Sequence, residues 1–239
     1  MTERISATHQ GISLMVEYDG QVYRPGVLTS TLSDIMEVRA GDRAFDVGCG
    51  TGYLGIVASL LGASEVFAID PMPEAVRWTK DNACHNGIIN LKVIRGKALD
   101  PVRLSQADLI VSNPPQIPYR SNFSSWRYGG ADGTDVIVKL IKQASTVLRG
   151  KESRLFLIHS GLAYPHKVRE TFLKFGYEWR VLRTLEKELN PKDFDAFAPE
   201  LTAYIHDLAD QGMAEIVERL GRWYYPIWFY RASLRREIT

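Results

Sequence analysis

An α/β fold with a doubly wound, mostly parallel sheet is predicted from three observations. A strand-like Arg43-Ala44-Phe45 runs through Asp46-Val47-Gly48-Cys49-Gly50-Thr51-Gly52 into a helix-like segment from Tyr53. From there strand-like and helix-like segments alternate to about Leu185, at spacings that suit right-handed crossovers. The length, 239 residues, suits one such domain with an elaboration.

Taken in order, Ile12–Tyr18 alternates loosely and Asp19-Gly20 precedes Gln21-Val22-Tyr23, which predicts a hairpin turning at Asp19-Gly20. Leu32, Ile35, Met36 and Val38 predict a helix over Thr29–Val38, capped by Thr29 or Ser30. Residues 1–40 thus form an N-terminal hairpin-and-helix arm, and residues 41–239 the main domain. Strands are predicted at Arg43–Val47, Glu65–Ile69, Leu91–Arg95, Asp108–Ser112, Arg154–His159 and Glu178–Leu185. The helices between them are Tyr53–Leu61, Pro73–Asn86, Thr134–Leu148 and Tyr164–Phe175, with Pro73 in a first turn and Gly87 past an end. Residues 96–106 carry no clear pattern. Pro199–Leu220 reads as helical and divided at Gly212, and a last strand, Ile227–Tyr230, starts after Pro226 because proline cannot donate to a ladder.

Composition is that of an ordinary soluble protein, with 45% apolar and 24% charged residues. A net charge of +1 argues against a chain that binds nucleic acid through its overall field. The two cysteines, Cys49 and Cys84, do not form a disulfide framework and suit a reducing compartment. Residues 1–10 lack a signal-peptide core, and the longest apolar run, Tyr53–Ala63, is too short to span a bilayer, so no membrane association and a cytoplasmic location are expected. The histidines His85, His159, His166 and His206 have no ligand spacing, and no metal site is expected.

The glycine stretch is built for a nucleotide-like cofactor. Glycines let a ligand approach the main chain, and the following helix offers unpaired N–H groups. The spacing is Gly48, Gly50, Gly52, whereas a dinucleotide fingerprint wants its third glycine where this chain has Tyr53. Asp46 can pair with a ligand ammonium, which suits a cofactor with an amino-acid head such as S-adenosylmethionine. Asp70, about 20 residues on, can accept both hydroxyls of a ribose, and Pro71 and Met72 can contact an adenine face.

Phe45 to Gly52, followed by Ala68-Ile69-Asp70, resembles the first two motifs of the class I S-adenosylmethionine-dependent methyltransferases, over residues 40–185. The resemblance implies a Rossmann-like fold whose seven-stranded sheet carries helices on both faces and an antiparallel last strand. It implies that Asp46, Gly48, Cys49, Gly50 and Gly52 hold the methionine moiety and Asp70 the ribose. Where the family has an acid or amide after its third strand this chain reads Gly96-Lys97-Ala98, leaving adenine to the Ala98 backbone or to Asp100.

Asn113-Pro114-Pro115-Gln116, at the end of the fourth strand of that alternation, resembles the Asn-Pro-Pro-Tyr motif of methyltransferases acting on nitrogen. The Asn113 oxygen and the Pro114 carbonyl can accept two N–H bonds of an amino group, and the prolines fix that geometry. Asn113 and Pro114 are therefore the candidate catalytic residues, with Asn113 also beside the cofactor. Gln116 departs from the motif's tyrosine, and Tyr119 is the nearest ring. Tyr23, Pro115, Gln116 and Tyr119 are the candidate acceptor contacts.

Gly129-Gly130-Ala131-Asp132-Gly133 and Val22-Tyr23-Arg24-Pro25 are similar to segments of the release-factor glutamine methyltransferases. The slot before the last strand, 191–222, is expected to be a helical insertion covering the pocket. Its acids, among them Asp193, Asp195 and Glu200, suit a neutral or cationic acceptor. The reading is S-adenosylmethionine-dependent methyl transfer to a nitrogen of a small molecule or peptide, with nucleic acid a lesser partner and the oligomeric state open. A release-factor-type protein-glutamine methyltransferase, an RNA or DNA base methyltransferase and a non-enzymatic cofactor-binding module are the alternatives.

Overall fold

The computed structural model describes residues 2–121 and 126–235; the parts of the segment assignments at 1, 122–125 and 236–239 lie outside the described residues. The chain opens with β1 (Glu3–His9) and β2 (Ile12–Tyr18), an antiparallel hairpin in register from Glu3 opposite Tyr18 to His9 opposite Ile12. The hairpin therefore lies one strand earlier than the sequence suggested. It turns at Gln10-Gly11, both with positive φ (50° and 80°), the conformation that matches the twist of two strands. Asp19-Gly20 forms only the turn that leaves β2, and residues 21–23 are not a strand. The alternation of Ile5, Ala7 and His9 was the signal, diluted by intervening polar residues.

α1 (Val27–Ile35) follows, with Gly26 rather than Thr29 or Ser30 at its start, so Thr29 sits inside the helix with its hydroxyl free to face the core side. The alternating part then gives β3 (Arg43–Val47), α2 (Tyr53–Leu60), β4 (Glu65–Asp70), α3 (Pro73–His85), β5 (Leu91–Arg95), β6 (Leu109–Ser112), α4 (Asp135–Val147), β7 (Arg154–Ser160), α5 (Pro165–Lys174) and β8 (Tyr177–Glu188). Residues Asp100–Val102 make a single tight turn in the stretch without a pattern.

The sheet order is β5-β4-β3-β6-β7-β10-β8, where β10 (Arg222–Leu234) is antiparallel to both neighbours and β9 (Val217–Arg219) adds an eighth, short strand beside it. Inner strands alternate their faces at period two. Ala44, Val66, Leu109, Val111, Phe156 and Ile158 meet α1 and α2 on one side. Phe45, Ile69, Ile110, Leu155 and Leu157 meet α4 and α5 on the other.

Two corrections concern the last third. The residues after Gly212 form the β9–β10 hairpin and not a helix, leaving α6 (Pro191–Asp195) and α7 (Leu201–Asp210) as the inserted helices. Strand β10 also starts before Pro226, which the ladder tolerates for a local reason. The Pro226 carbonyl accepts the Gly161 N–H at 2.7 Å, just past the end of β7. A residue's N and carbonyl share one side of an antiparallel strand, so the missing donor faces β7's end and not β8.

The hairpin docks through two asparagines one helical turn apart on α3. Asn82 exchanges bonds of 2.8 Å with the N–H and carbonyl of Glu17, and Asn86 bonds Met15 N–H and carbonyl at 2.9 and 2.6 Å. Two carboxamides thus satisfy the strand edge as a neighbouring strand would.

Candidate functional site

A cavity of about 700 Å³ opens at the carboxyl ends of β3, β4, β6 and β7. That edge is where an open parallel sheet exposes its loops and helix N-termini. Nearly all the candidate residues meet there: Tyr23, Asp46, Gly48, Cys49, Gly50, Asp70, Pro71, Met72, Ala98, Asn113, Pro114, Pro115 and Gln116 line it. Gly52 and Tyr119 do not.

The turn after β3 needs glycine for backbone reasons. Gly48 and Gly50 have φ of +75° and +55°, and a Cβ on either would meet nothing within 4 Å. Their open side leaves main chain bare to a ligand. Gly52 differs: its φ is +82° and a Cβ would lie 2.8 Å from Thr79 Cγ2, so it serves the packing of α2 against α3. α3 braces the turn from below. Thr79 Oγ1 donates to Gly50 O at 3.1 Å, and Asn82 Nδ2 to Thr51 O at 2.9 Å.

Two carboxylates flank the turn. Asp46 is buried, and its Oδ2 accepts the Gly55 N–H at 2.8 Å. Burial pushes its carboxyl up to about 7, with the nearby Asp70 adding to the shift against the Gly55 bond. Asp70 accepts from Gly50 N and Met72 N, each at 3.0 Å, and burial raises its carboxyl also. Each carboxylate oxygen has a further lone pair to offer. Among the described residues no lysine, arginine or histidine is ion-paired with either acid. A cationic ammonium together with a diol fits this pair of buried acids.

After β5 the two candidates for the adenine side differ in position. Ala98 lines the cavity with φ +50°, while Asp100 is turned to the surface and held by Lys139 Nζ and Gln143 Nε2, both at 2.6 Å. Gln143 also accepts the Leu99 N–H at 3.0 Å, so one α4 side chain fixes this turn.

Beyond β6, Asn113 Nδ2 donates to Thr29 Oγ1 at 3.2 Å, and Tyr23 lies beside both, its hydroxyl pKa raised by burial against the influence of these two polar side chains. In that arrangement the carboxamide oxygen accepts no hydrogen bond given for the described residues, so it is available to an N–H donor. Gln116 is not an open acceptor contact. Its Oε1 accepts the Ser160 N–H at 2.5 Å and its Nε2 reaches Ile158 O at 3.5 Å, tying the loop to the end of β7. Tyr119 points away: its hydroxyl donates to Pro199 O at 2.6 Å and its ring packs edge-on to Tyr204 at 5.7 Å. It cannot supply the missing ring.

Rings come from elsewhere. Trp126 stands 5.2 Å from Tyr23, edge to face, and Tyr225 lies on β10 directly opposite Lys187 on β8. Trp126, Arg127, Tyr128, Lys187 and Tyr225 all line the cavity, and sequence reasoning missed every one. They come from three separate places in the chain, 126–128, 187 and 225, with no shared motif; the residues after Asn113-Pro114-Pro115 were the only local hint.

The insertion acts at one remove. No described residue of 191–222 lines the cavity. Instead Pro199 holds Tyr119, Tyr204 Oη donates to Ala131 O at 3.0 Å, and Phe197 lies under the Arg127 guanidinium at 4.2 Å. The helices therefore support Tyr119, Arg127 and Ala131 from the outer side. His159 is core: Nε2 bonds Ala163 O at 2.6 Å, Trp228 and Tyr230 pack on the ring, and burial lowers its pKa to about 4.

No described helix is long and apolar enough to cross a membrane. Residues 26–178 match the family described as methyltransferase small domain. A ribosomal protein L11 methyltransferase of Acetivibrio thermocellus is 45% identical over 76 residues, 32% of this chain and 24% of that protein. The chain thus matches only about a quarter of the length of that curated relative. Among solved structures, a T. thermophilus 16S rRNA N2 methyltransferase in complex with AdoMet and guanosine aligns with TM-score 0.62 at 15% identity, over 98% of this chain and 51% of that one. An L11 methylase of Lactobacillus delbrueckii subsp. bulgaricus aligns with TM-score 0.55 at 19% identity, over 91% and 84%. At such identities these two speak to the fold, which is the Rossmann-like α/β fold of class I methyltransferases.

Proposed function

The chain belongs to the methyltransferase small-domain family, and from that premise we propose that it transfers the methyl group of S-adenosylmethionine to a nitrogen of a small molecule or peptide. One observation carries the proposal. The bare glycine turn with its two buried acids and the Asn113-Pro114 edge open onto a single cavity.

Bound there, S-adenosylmethionine supplies an electrophilic methyl on a sulfonium. Asp46 receives the ammonium of the amino-acid head, and Asp70 receives the ribose hydroxyls through its spare lone pairs. The Gly48 and Gly50 main chain would meet the head without side-chain interference, and Pro71, Met72 and Ala98 would bound the adenine.

On the other side, Asn113 Oδ1 and Pro114 O accept the acceptor's N–H bonds and turn its lone pair toward the methyl. Thr29 anchors the Asn113 carboxamide in place from α1. An amine sheds its proton after attack, so orientation and a dry site suffice without a strong base. No base is supplied by His159, which is sealed in the core.

The relatives' names support a second reading, in which the nitrogen belongs to a ribosomal protein or an RNA base. A release-factor-type glutamine acceptor rests on Asn113-Pro114-Pro115 and the segments 22–25 and 129–133. Labelled methyl transfer to a panel of amines and amino acids, a Gly-Gly-Gln peptide, L11 and transfer RNA decides among them. Labelling of RNA or L11 alone overturns the small-molecule assignment. Calorimetry with S-adenosylhomocysteine against NAD tests the cofactor; tighter NAD binding overturns it.

A further inference from the structure

The acceptor half of the cavity differs in charge from the cofactor half. Lining carboxylates among the described residues are Asp46, Asp70 and Asp135. The first two flank the glycine turn. Asp135 begins α4, where a Cβ on Gly130 would lie 2.3 Å from its carboxyl group. The lining cations among the described residues are Lys97 beside Ala98, Lys139, already paired with Asp100 at 2.6 Å, and two on the acceptor side, Arg127 and Lys187.

The Arg127 guanidinium carbon lies 3.9 Å from the Trp126 ring centre and 4.2 Å from that of Phe197. Tyr23 and Tyr225 are its electrostatic neighbours, and Tyr23 in turn touches Asn113. Lys187 projects from β8 beside Tyr225. Crowding by protein lowers the pKa of both cations, and the Arg127 charge lowers that of Lys187 further, against Asp193 on α6, which lies outside the lining. Half-buried Arg127 and the more exposed Lys187 bring two like charges to the ring-lined side of the cavity beside Asn113, where an anionic group would meet both. This also corrects the expectation drawn from the acidic insertion, because those acids do not line the cavity.

We propose that the acceptor carries an anionic group, a carboxylate or a phosphate, next to a planar portion, and that Arg127 and Lys187 receive that group while Trp126 and Tyr225 flank the plane. The inference rests on the acceptor site lying beside Asn113, as assigned above. A guanidinium offers a planar fork for two oxygens and an ammonium a point charge, which together suit either anion.

The test uses the whole protein and three probes of one shape: benzoate, phenyl phosphate and uncharged benzamide, with binding followed by ligand-observed NMR. Lys187 is exposed on β8, so Lys187→Gln removes its charge without opening the core. At least one anion should bind the native protein, bind Lys187→Gln about tenfold more weakly and recover in Lys187→Arg, while benzamide ignores the change. Tighter benzoate identifies a carboxylate acceptor, and tighter phenyl phosphate a phosphorylated one. Anions that fail to bind, or that bind Lys187→Gln as tightly as the native protein, overturn the proposal. Each titration is run with and without S-adenosylhomocysteine. Failure of that compound to bind overturns the cofactor assignment and leaves the anion result to stand on its own.

Discussion

The two halves of the cavity are made in different ways. The cofactor half comes from two adjacent strand ends, β3 and β4, and the short turns that follow them. Its partners are main-chain groups: Gly55 N on Asp46, Gly50 N and Met72 N on Asp70. The acceptor half is gathered from Tyr23 before α1, Asn113 to Ile117, Trp126 to Tyr128, Lys187 and Tyr225, held by side chains and by an insertion behind them. The first is a local backbone device, the second a long-range assembly. A perturbation of one half should therefore leave the other nearly untouched.

The strongest attempt to break that separation is Asn113→Ala. Methyl transfer should fall roughly 10²- to 10³-fold, the scale for losing one positioned hydrogen-bonding group. S-adenosylhomocysteine affinity by calorimetry should stay unchanged, and a parallel loss would join the halves.

Asp46→Asn tests the other side. Removing the carboxylate charge should weaken S-adenosylhomocysteine binding on the order of ten- to a hundredfold. The ligand-free protein should melt no lower at pH 8, because the change removes a buried charge without a counter-ion while Gly55 N keeps an acceptor. A lower melting temperature overturns this account of Asp46.

The same residue sets a pH dependence. Its folded carboxyl titrates at about 7 against 3.8 for the unperturbed group. As pH rises between those values, the unfolded chain has released this proton and the folded one still holds it, so its contribution to stability falls over that window. Ammonium binding needs the ionised form, so S-adenosylhomocysteine affinity should drop about tenfold per unit below about pH 7. Calorimetry at pH 6 in two buffers should show proton release, and Asp46→Asn should remove it.

The smallest effect belongs to the outer support. Tyr119→Phe deletes the bond to Pro199 O, worth about 1 kcal/mol. It should raise the acceptor KM a few-fold with cofactor affinity unmoved. Equal shifts in both would show that the insertion also acts on the cofactor.

The same contrast decides what could be read from the sequence. Strands β3 and β5 were legible to the residue, and Asp46, Gly48, Gly50 and Asp70 stood out because a turn at positive φ and a strand-end acid are written in consecutive residues. Gly52 was misjudged because its reason, contact with Thr79, is tertiary. Gln116 looked like a failed aromatic ring, yet it ties the loop to β7, a role visible only once Ser160 is beside it. Trp126, Arg127, Lys187 and Tyr225 gave no local signal, since cross-strand pairing alone brings Lys187 opposite Tyr225. The hairpin was displaced because Asp19-Gly20 is the stronger dipeptide, while the Gln10-Gly11 turn works equally well between alternating strands.

Strand β10 has a consequence for the order in which the protein can be finished. It follows every other strand of the sheet along the chain, yet it lies between β7 and β8 and not at an edge. On the ribosome, β3, β4 and β6 can pair as they emerge, so a pocket for the cofactor can exist early. Until β10 arrives, β7 and β8 are each short of a neighbour, and the wall formed by Tyr225 and Ile227 is absent. A nascent chain would thus hold its methyl donor before it could select anything to methylate.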